Sequence, residues 1–307
     1  MKLIKILMAG VLLSASMAFS ATVFKRDVTI VVPFLPGGAS DMVARKTAAV
    51  LTDRFPGTAF VIRNIPGASN LVAVSYVLNE KDLDHVFIIS NDDLITGPMS
   101  QGRTSYNEFV VTNIIGHSPY MLAVSTRQDA NNFQTIVKNK GNLMFGSVGA
   151  GSGPATWLSS LDVIEWNNVP YKGAPAIITD VMGGSLNYVI LSSFNMYDYI
   201  RDGIVAPVMI SNTTRLSKYP MVPTFKELGF RGHEDKIYFA MYARKTADRK
   251  VIEEINRAIV DAQKNDVYRD FEDKSLVITP WDLKQSNQFF QRTIKQKQQF
   301  YERQIQK

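Results

Sequence analysis

Cysteine is missing from all 307 residues, which excludes disulfides, thiolate metal sites and a thiol nucleophile. A chain without such staples must be held by its core. At this length, with 46% hydrophobic residues, it can bury a large one and is better divided into two domains than one. Histidine is scarce, and His85, His117 and His233 lie far apart in no metal-ligand spacing. Neither a P-loop of the usual pattern nor a Gly-x-Ser-x-Gly elbow is present. Gly149-x-Gly151 resembles a dinucleotide fingerprint, but Pro154 occupies the third glycine position. Beyond the first twenty residues no apolar run is long enough to span a bilayer. Nor does charge of one sign gather. Lys284, Arg292, Lys295 and Lys297 sit in a mixed C-terminal stretch that reads as a solvated helix face rather than a nucleic-acid site.

The first twenty residues stand apart. Lys2 and Lys5 give a basic start, Ile6 to Leu13 is an apolar run, and Ala18-Phe19-Ser20 places small residues before Ala21. This is the pattern of a cleaved secretory signal peptide over residues 1–20, and it places the mature protein in a Gram-negative periplasm. Its removal takes away Lys2 and Lys5 and lowers the net charge from +6 to +4.

The mature chain opens with the apolar run Val28 to Phe34, the turn Pro36-Gly37-Gly38-Ala39-Ser40-Asp41, and good helix formers from Met42 to Leu51. Two adjacent glycines let the backbone bend sharply and approach a bound molecule. The helix that follows points unpaired N–H groups and its positive dipole end above the strand, where an anion is welcome. By themselves these residues read equally well as a structural turn. Asp41 suits a helix-start and hydrogen-bonding role, since its charge would repel a carboxylate.

Ala59 to Ile62 and Val86 to Ile89 are further strands, ending at Asn64-Ile65-Pro66-Gly67-Ala68 and Ser90-Asn91-Asp92, with a helix from Leu71 to Leu78 between them. Alternating strands and helices predict a parallel sheet in an α/β fold, with ligands beyond the carboxyl ends of the strands. A second rhythm starts at Tyr120 to Val124. Asn142 to Ser147 is a strand that enters the glycine-rich loop Val148 to Pro154, with a helix expected from Ala155-Thr156 to Leu161. Tyr188 to Leu191 and Pro207 to Ile210 are strands, Lys236 to Tyr242 a strand returning to the first domain. Val251 to Lys264 has helical periodicity, and a last helix begins near Leu283. The expected division is residues 21–118 plus 236–307 in one α/β domain and 119–235 in the other. The anion-friendly turns of the two would face each other across a cleft.

Several short motifs, in order, resemble the Bug family, the periplasmic receptors of tripartite tricarboxylate transporters. They are Pro36 to Arg45, Asn64 to Ala68, Val169 to Ala176, Asp180 to Gly184, Arg215, and Val222 to Gly229. The resemblance covers nearly the whole mature chain. It implies a two-domain type 2 periplasmic-binding-protein fold with a central ligand cleft. It also implies a small carboxylate ligand (di- or tricarboxylate, acidic amino acid or aromatic acid) handed to membrane permease subunits. In that family the turn matching Phe34 to Asp41 holds one ligand carboxylate and the loop matching Ser147 to Thr156 another part.

The expected ligand-lining set is therefore Phe34, Pro36, Gly37, Gly38, Ala39, Ser40, Asp41, Gly67, Ala68, Ser90, Asn91, Ser147, Gly149, Ser152, Thr156, Tyr171, Ser192 and Ser193. Tyr171 could stack on a planar ligand or pack under its loop. Where relatives usually carry a histidine this chain has Thr156, and Ser69-Asn70 stand where glycine usually continues. Arg63 replaces a common acidic residue, and Leu191 stands for another, followed by Ser192-Ser193. These departures bear on the ligand rather than the fold. A monomer with no cofactor, metal or nucleic-acid partner is expected. The alternatives are a receptor that docks on a membrane sensor kinase, and a secreted α/β enzyme.

Overall fold

The computed structural model describes residues 23–127, 143–149, 152–154, 158, 166–229 and 236–305. The signal segment, Thr156 and, apart from Leu158, the helix expected from Ala155 lie outside them.

The first half begins with β1 (Val28–Val32), α1 (Ala39–Arg54), β2 (Phe60–Asn64), α2 (Leu71–Asn79), β3 (Val86–Ser90) and the short α3 (Asp93–Met99). β1 pairs parallel with both β2 and β3. Neighbouring residues of a strand point to opposite faces. Ile30 and Val32 therefore join Val43, Ala44 and Leu51 of α1, whereas Val31 packs with Ala73, Val74 and Val77 of α2. Both faces of the sheet are covered, so β3 is buried along its whole length.

The long β4 (Phe109–Ser125) then runs through the molecule. In the second half come β5 (Leu143–Val148), β6 (Trp166–Tyr171), α4 (Ala174–Gly183), β7 (Tyr188–Ser192), α5 (Ser193–Arg201) and β8 (Val205–Ile210). The chain returns through β9 (Lys236–Arg244), α6 (Arg249–Lys264), α7 (Arg269–Glu272), β10 (Val277–Ile278) and α8 (Leu283–Ile305). The main sheet order is β2-β1-β3-β9-β4-β7-β5-β6.

β4 changes partner part-way. Phe109 to Pro119 pair with β9, and Tyr120 to Val124 pair with β7. β5 pairs parallel with β6 and β7, but the pairings of β9 with β3 and β4, and of β4 with β7 and β8, are antiparallel. The sheet is thus mixed, not wholly parallel as the alternation predicts. The returning β9 and the crossing β4 enter from the opposite direction.

The Phe109–Pro119 part of β4 has no clean sequence signal because Thr112, Asn113, Gly116, His117 and Ser118 interrupt its apolar residues. Register shifts there free backbone groups, and polar side chains from α6 and beyond answer them. Asn256 donates to the Thr112 carbonyl at 2.7 Å, Gln263 to that of Ile115 at 2.8 Å, and Thr279 to that of Ile114 at 3.0 Å.

Candidate ligand site

The turn after β1 is built by one carboxylate. Asp41, nearly fully buried, accepts from the Gly37 N–H at 3.0 Å, from Arg45 Nε at 2.9 Å and from Asn64 Nδ2 at 2.9 Å. Burial pushes its carboxyl up, but the bonds from Arg45, Gly37 and Asn64 outweigh this and hold it below the ordinary carboxylate value. Gly37 sits at φ +87°, a left-handed conformation natural to glycine. With its charge spent on the turn, Asp41 leaves the start of α1 open above the strand.

That opening is a cavity with about 470 Å³ of atom-free space, part of it open to solvent. Phe34, Gly38, Ala39 and Ser40 line it on one side, Gly173, Ala174, Ser192 and Asn195 on the other. Asn91, Asp93, Tyr120, Val148, Pro154, Leu191, Ile237 and Phe239 complete the wall. Helix starts therefore meet here, those of α1, α4 and α5, with Asp93 opening the short α3 on the same wall. The first N–H groups of each have no acceptor within the helix, and their dipoles bring partial positive charge. Ser192 caps α5 by accepting from the Asn195 N–H at 3.1 Å. Among the described residues no lysine or arginine lines the space.

A second cavity, of about 670 Å³, adjoins the first and shares Phe34, Asp93 and Val148 with it. Gly67, Ala68, Ser69, Asn70, Gly149, Ser152, Tyr171 and Lys172 are among its lining. The Gly67–Asn70 loop is held in a left-handed backbone throughout, with φ of +139°, +47°, +48° and +74°. It is pressed close on α3: a methyl group on Gly97 would overlap the Ser69 carbonyl oxygen.

The two halves touch across the cleft. The Leu35 N–H donates to the Lys172 carbonyl at 3.1 Å, and the Gly153 N–H donates to Asp93 Oδ1 at 3.2 Å. The turn at Gly37 thus faces the start of α4 directly, while the Gly149 loop lies against Ser69.

Of the residues expected from sequence, Phe34, Gly38, Ala39, Ser40, Asn91 and Ser192 line the first cavity; Phe34 extends into the second, joined there by Gly67, Ala68, Gly149, Ser152 and Tyr171. Pro36, Gly37, Asp41, Ser90, Ser147 and Ser193 line neither cavity: Pro36 and Gly37 are exposed on the turn, and the other four are buried. Ser90 accepts from Asn70 Nδ2 at 3.2 Å, the Ser147 hydroxyl lies 2.6 Å from Asn168 Oδ1, and that of Ser193 lies 2.8 Å from Ser118. The Tyr171 hydroxyl donates to Asp180; burial and that neighbour push its pKa to about 12. Thr156 lies outside the described residues.

Residues absent from the expected set include Gly173, Ala174, Tyr120 and Asp93. Lys172-Gly173-Ala174-Pro175 repeats the strand–glycine–helix pattern of the first turn, with proline at a helix start, so it was readable. Among the described residues no grouping of histidine and carboxylates is fit to hold a metal, and no helix is long and apolar enough to cross a membrane.

A family model described as the tripartite tricarboxylate transporter family receptor matches residues 43–305. Protein BugT of Bordetella pertussis is 26% identical over 250 residues, covering 77% of this chain and 76% of its own. Among solved structures, the periplasmic binding protein BugD superposes with a TM-score of 0.82 at 21% identity, over 91% of this chain and 96% of its own. An R. palustris protein solved with adipate gives 0.82 at 23% identity, over the same shares. These likenesses show the two-domain periplasmic-binding-protein fold.

Proposed function

The chain belongs to the tripartite tricarboxylate transporter family of receptors, the Bug proteins, and from that premise we propose that it captures a small carboxylate in the periplasm for membrane permease subunits. The observation that carries this reading is the meeting of the α1, α4 and α5 starts on one cavity that no basic side chain lines among the described residues. Such a wall favours an anion through backbone donors and dipoles. The adipate bound by the R. palustris relative is in keeping with it.

In this reading the ligand carboxylate faces Gly38, Ala39 and Ser40 on one lobe, and Gly173, Ala174 and Asn195 on the other. The lobes divide where β4 changes partner, between residues 21–118 plus 236–307 and residues 119–235. The Leu35–Lys172 and Gly153–Asp93 bonds belong to the closed form. Closure excludes water and strengthens the charge-assisted bonds to the ligand. Each contributes about 1.5–3 kcal/mol, so a few reach micromolar affinity, about −8 kcal/mol. The protein's part is binding and presentation, without chemistry on the ligand.

Isothermal titration against mono-, di- and tricarboxylates, acidic amino acids and aromatic acids tests this. Saturable heat with at least one member at micromolar affinity is expected. Silence across every class, with the protein folded and freed of carried-over ligand, would overturn it. Periplasmic export is checked by N-terminal sequencing of the mature protein, which should begin at Ala21.

A further inference from the structure

Next to the helix starts, the cleft holds a charge that a plain dicarboxylate does not call for. Asp93 is 4% exposed and is among the residues that line both cavities. Its Oδ1 accepts from the Gly153 N–H at 3.2 Å and from the Thr96 hydroxyl at 3.1 Å. No lysine, arginine or histidine forms an ion pair with it among the described residues. Its neighbour Asp92 differs. Fully buried, Asp92 is matched by Lys297 of α8 at 3.3 Å and receives the Tyr120 hydroxyl of β4 at 3.3 Å.

A buried carboxylate without a counter-ion carries a large desolvation cost. Burial, and then the Asp92 charge, push the Asp93 carboxyl up to about 7, against bonds from Gly153, Thr96 and Asn91, so it changes charge near neutral pH. The other ionisable groups around the pair are the phenols of Tyr238 and Tyr242 on β9. Burial raises both, so they stay neutral while Asp93 titrates.

The cleft thus offers two complementary ends, helix starts that favour an anion and a carboxyl that lacks a cation. We propose that Asp93 is the specificity-determining residue of this site, and that the preferred ligand is an amino-carboxylate whose protonated amine pairs with Asp93 while its carboxylate meets the helix starts. This rests on the carboxylate-receptor reading and narrows it to zwitterions. A ligand bearing carboxylates alone would sit beside Asp93 with like charge, or require it protonated. The two ligand classes therefore respond to pH in opposite directions. An ammonium ligand draws the proton off Asp93, so its binding releases protons and tightens as pH rises from 6 to 8. A dicarboxylate binds best when Asp93 is protonated, so its binding takes up protons and weakens over the same range.

The experiment uses matched pairs that differ by one amine: aspartate against succinate, and glutamate against glutarate. Each is titrated calorimetrically at pH 6, 7 and 8, and at pH 7 in two buffers of different ionisation enthalpy. The amino member of at least one pair should bind at least roughly tenfold tighter at pH 8, the size of one charge-assisted hydrogen bond, and release protons. In Asp93→Asn, checked for fold by circular dichroism, that preference and the pH slope should vanish. If Asp93→Asn does not fold, the proton count on the unaltered protein decides. Tighter binding of the desamino members, or proton uptake with the amino members, overturns the proposal and leaves the carboxylate reading standing. Absence of binding by both members of both pairs, with another acid of the panel bound, also overturns this proposal alone. Absence of binding by any carboxylate overturns both.

Discussion

Asp41 and Asp93 are both buried carboxyls beside the same cleft, and their surroundings give them opposite characters. Asp41 accepts from three residues, Arg45 twice among them, and stays ionised. Asp93 faces Asp92 and open space, and is pushed up to about 7. The first role was legible, since an acidic residue at a helix start has an evident task. The second was not. The reasoning that like charges repel sets an aspartate aside in a carboxylate site, and sequence gives no sign of which neighbour lacks a counter-ion. Ala68 gives a separate test at this scale. It holds φ +47° between Gly67 and Ser69, a conformation that costs an L-residue about 1–2 kcal/mol. Ala68→Gly should raise stability by roughly 0.5–1 kcal/mol in urea denaturation, after about 0.4–1 kcal/mol is lost to the extra freedom of glycine in the unfolded chain. A loss of stability would show that the Ala68 methyl contributes more than the strain it suffers.

Helices here are fixed by packing and by caps. In α6, Val251, Ile252, Ile255, Ala258 and Ile259 are buried as the sequence period predicts, and Asp248 at its start accepts from the Lys250 N–H at 2.8 Å. Asp248→Ala should cost about 0.5–2 kcal/mol by thermal or urea unfolding, the usual range for a lost cap. An unchanged midpoint would assign the helix start to packing alone. β1, β3 and β7 were readable because their apolar residues run nearly unbroken, with β3 and β7 buried along their whole length. The Phe109–Pro119 part of β4 was not, since its fitness as a strand depends on Asn256, Gln263 and Thr279, which lie more than a hundred residues further along. In the same way the start of α4 carried the right local pattern, but nothing local says that it closes on Leu35 and Gly37.

At the scale of the whole molecule, the cleft is bounded by both halves, so a ligand in it adds contacts that neither half has alone. A ligand held at a hundred times its dissociation constant should stabilise the folded protein by about 2.7 kcal/mol, and raise the melting temperature by roughly 5–8 °C. Differential scanning calorimetry with and without the acid found by titration checks this. An unshifted midpoint at that concentration would show that the acid does not bind the folded protein in preference to the unfolded chain.

The single backbone from Phe109 to Ser125 lies inside two different neighbourhoods of strands, flanked by β9 and β10 at one end and by β7 and β8 at the other. Neither half can be lifted out as a cassette, because each would depart with a truncated ladder and bare peptide groups. Descendants of such a gene are free to recolour the rims of the cleft residue by residue. Exchanging one half wholesale would break that shared ladder, so a new ligand preference is reached more directly through single changes along the cleft wall.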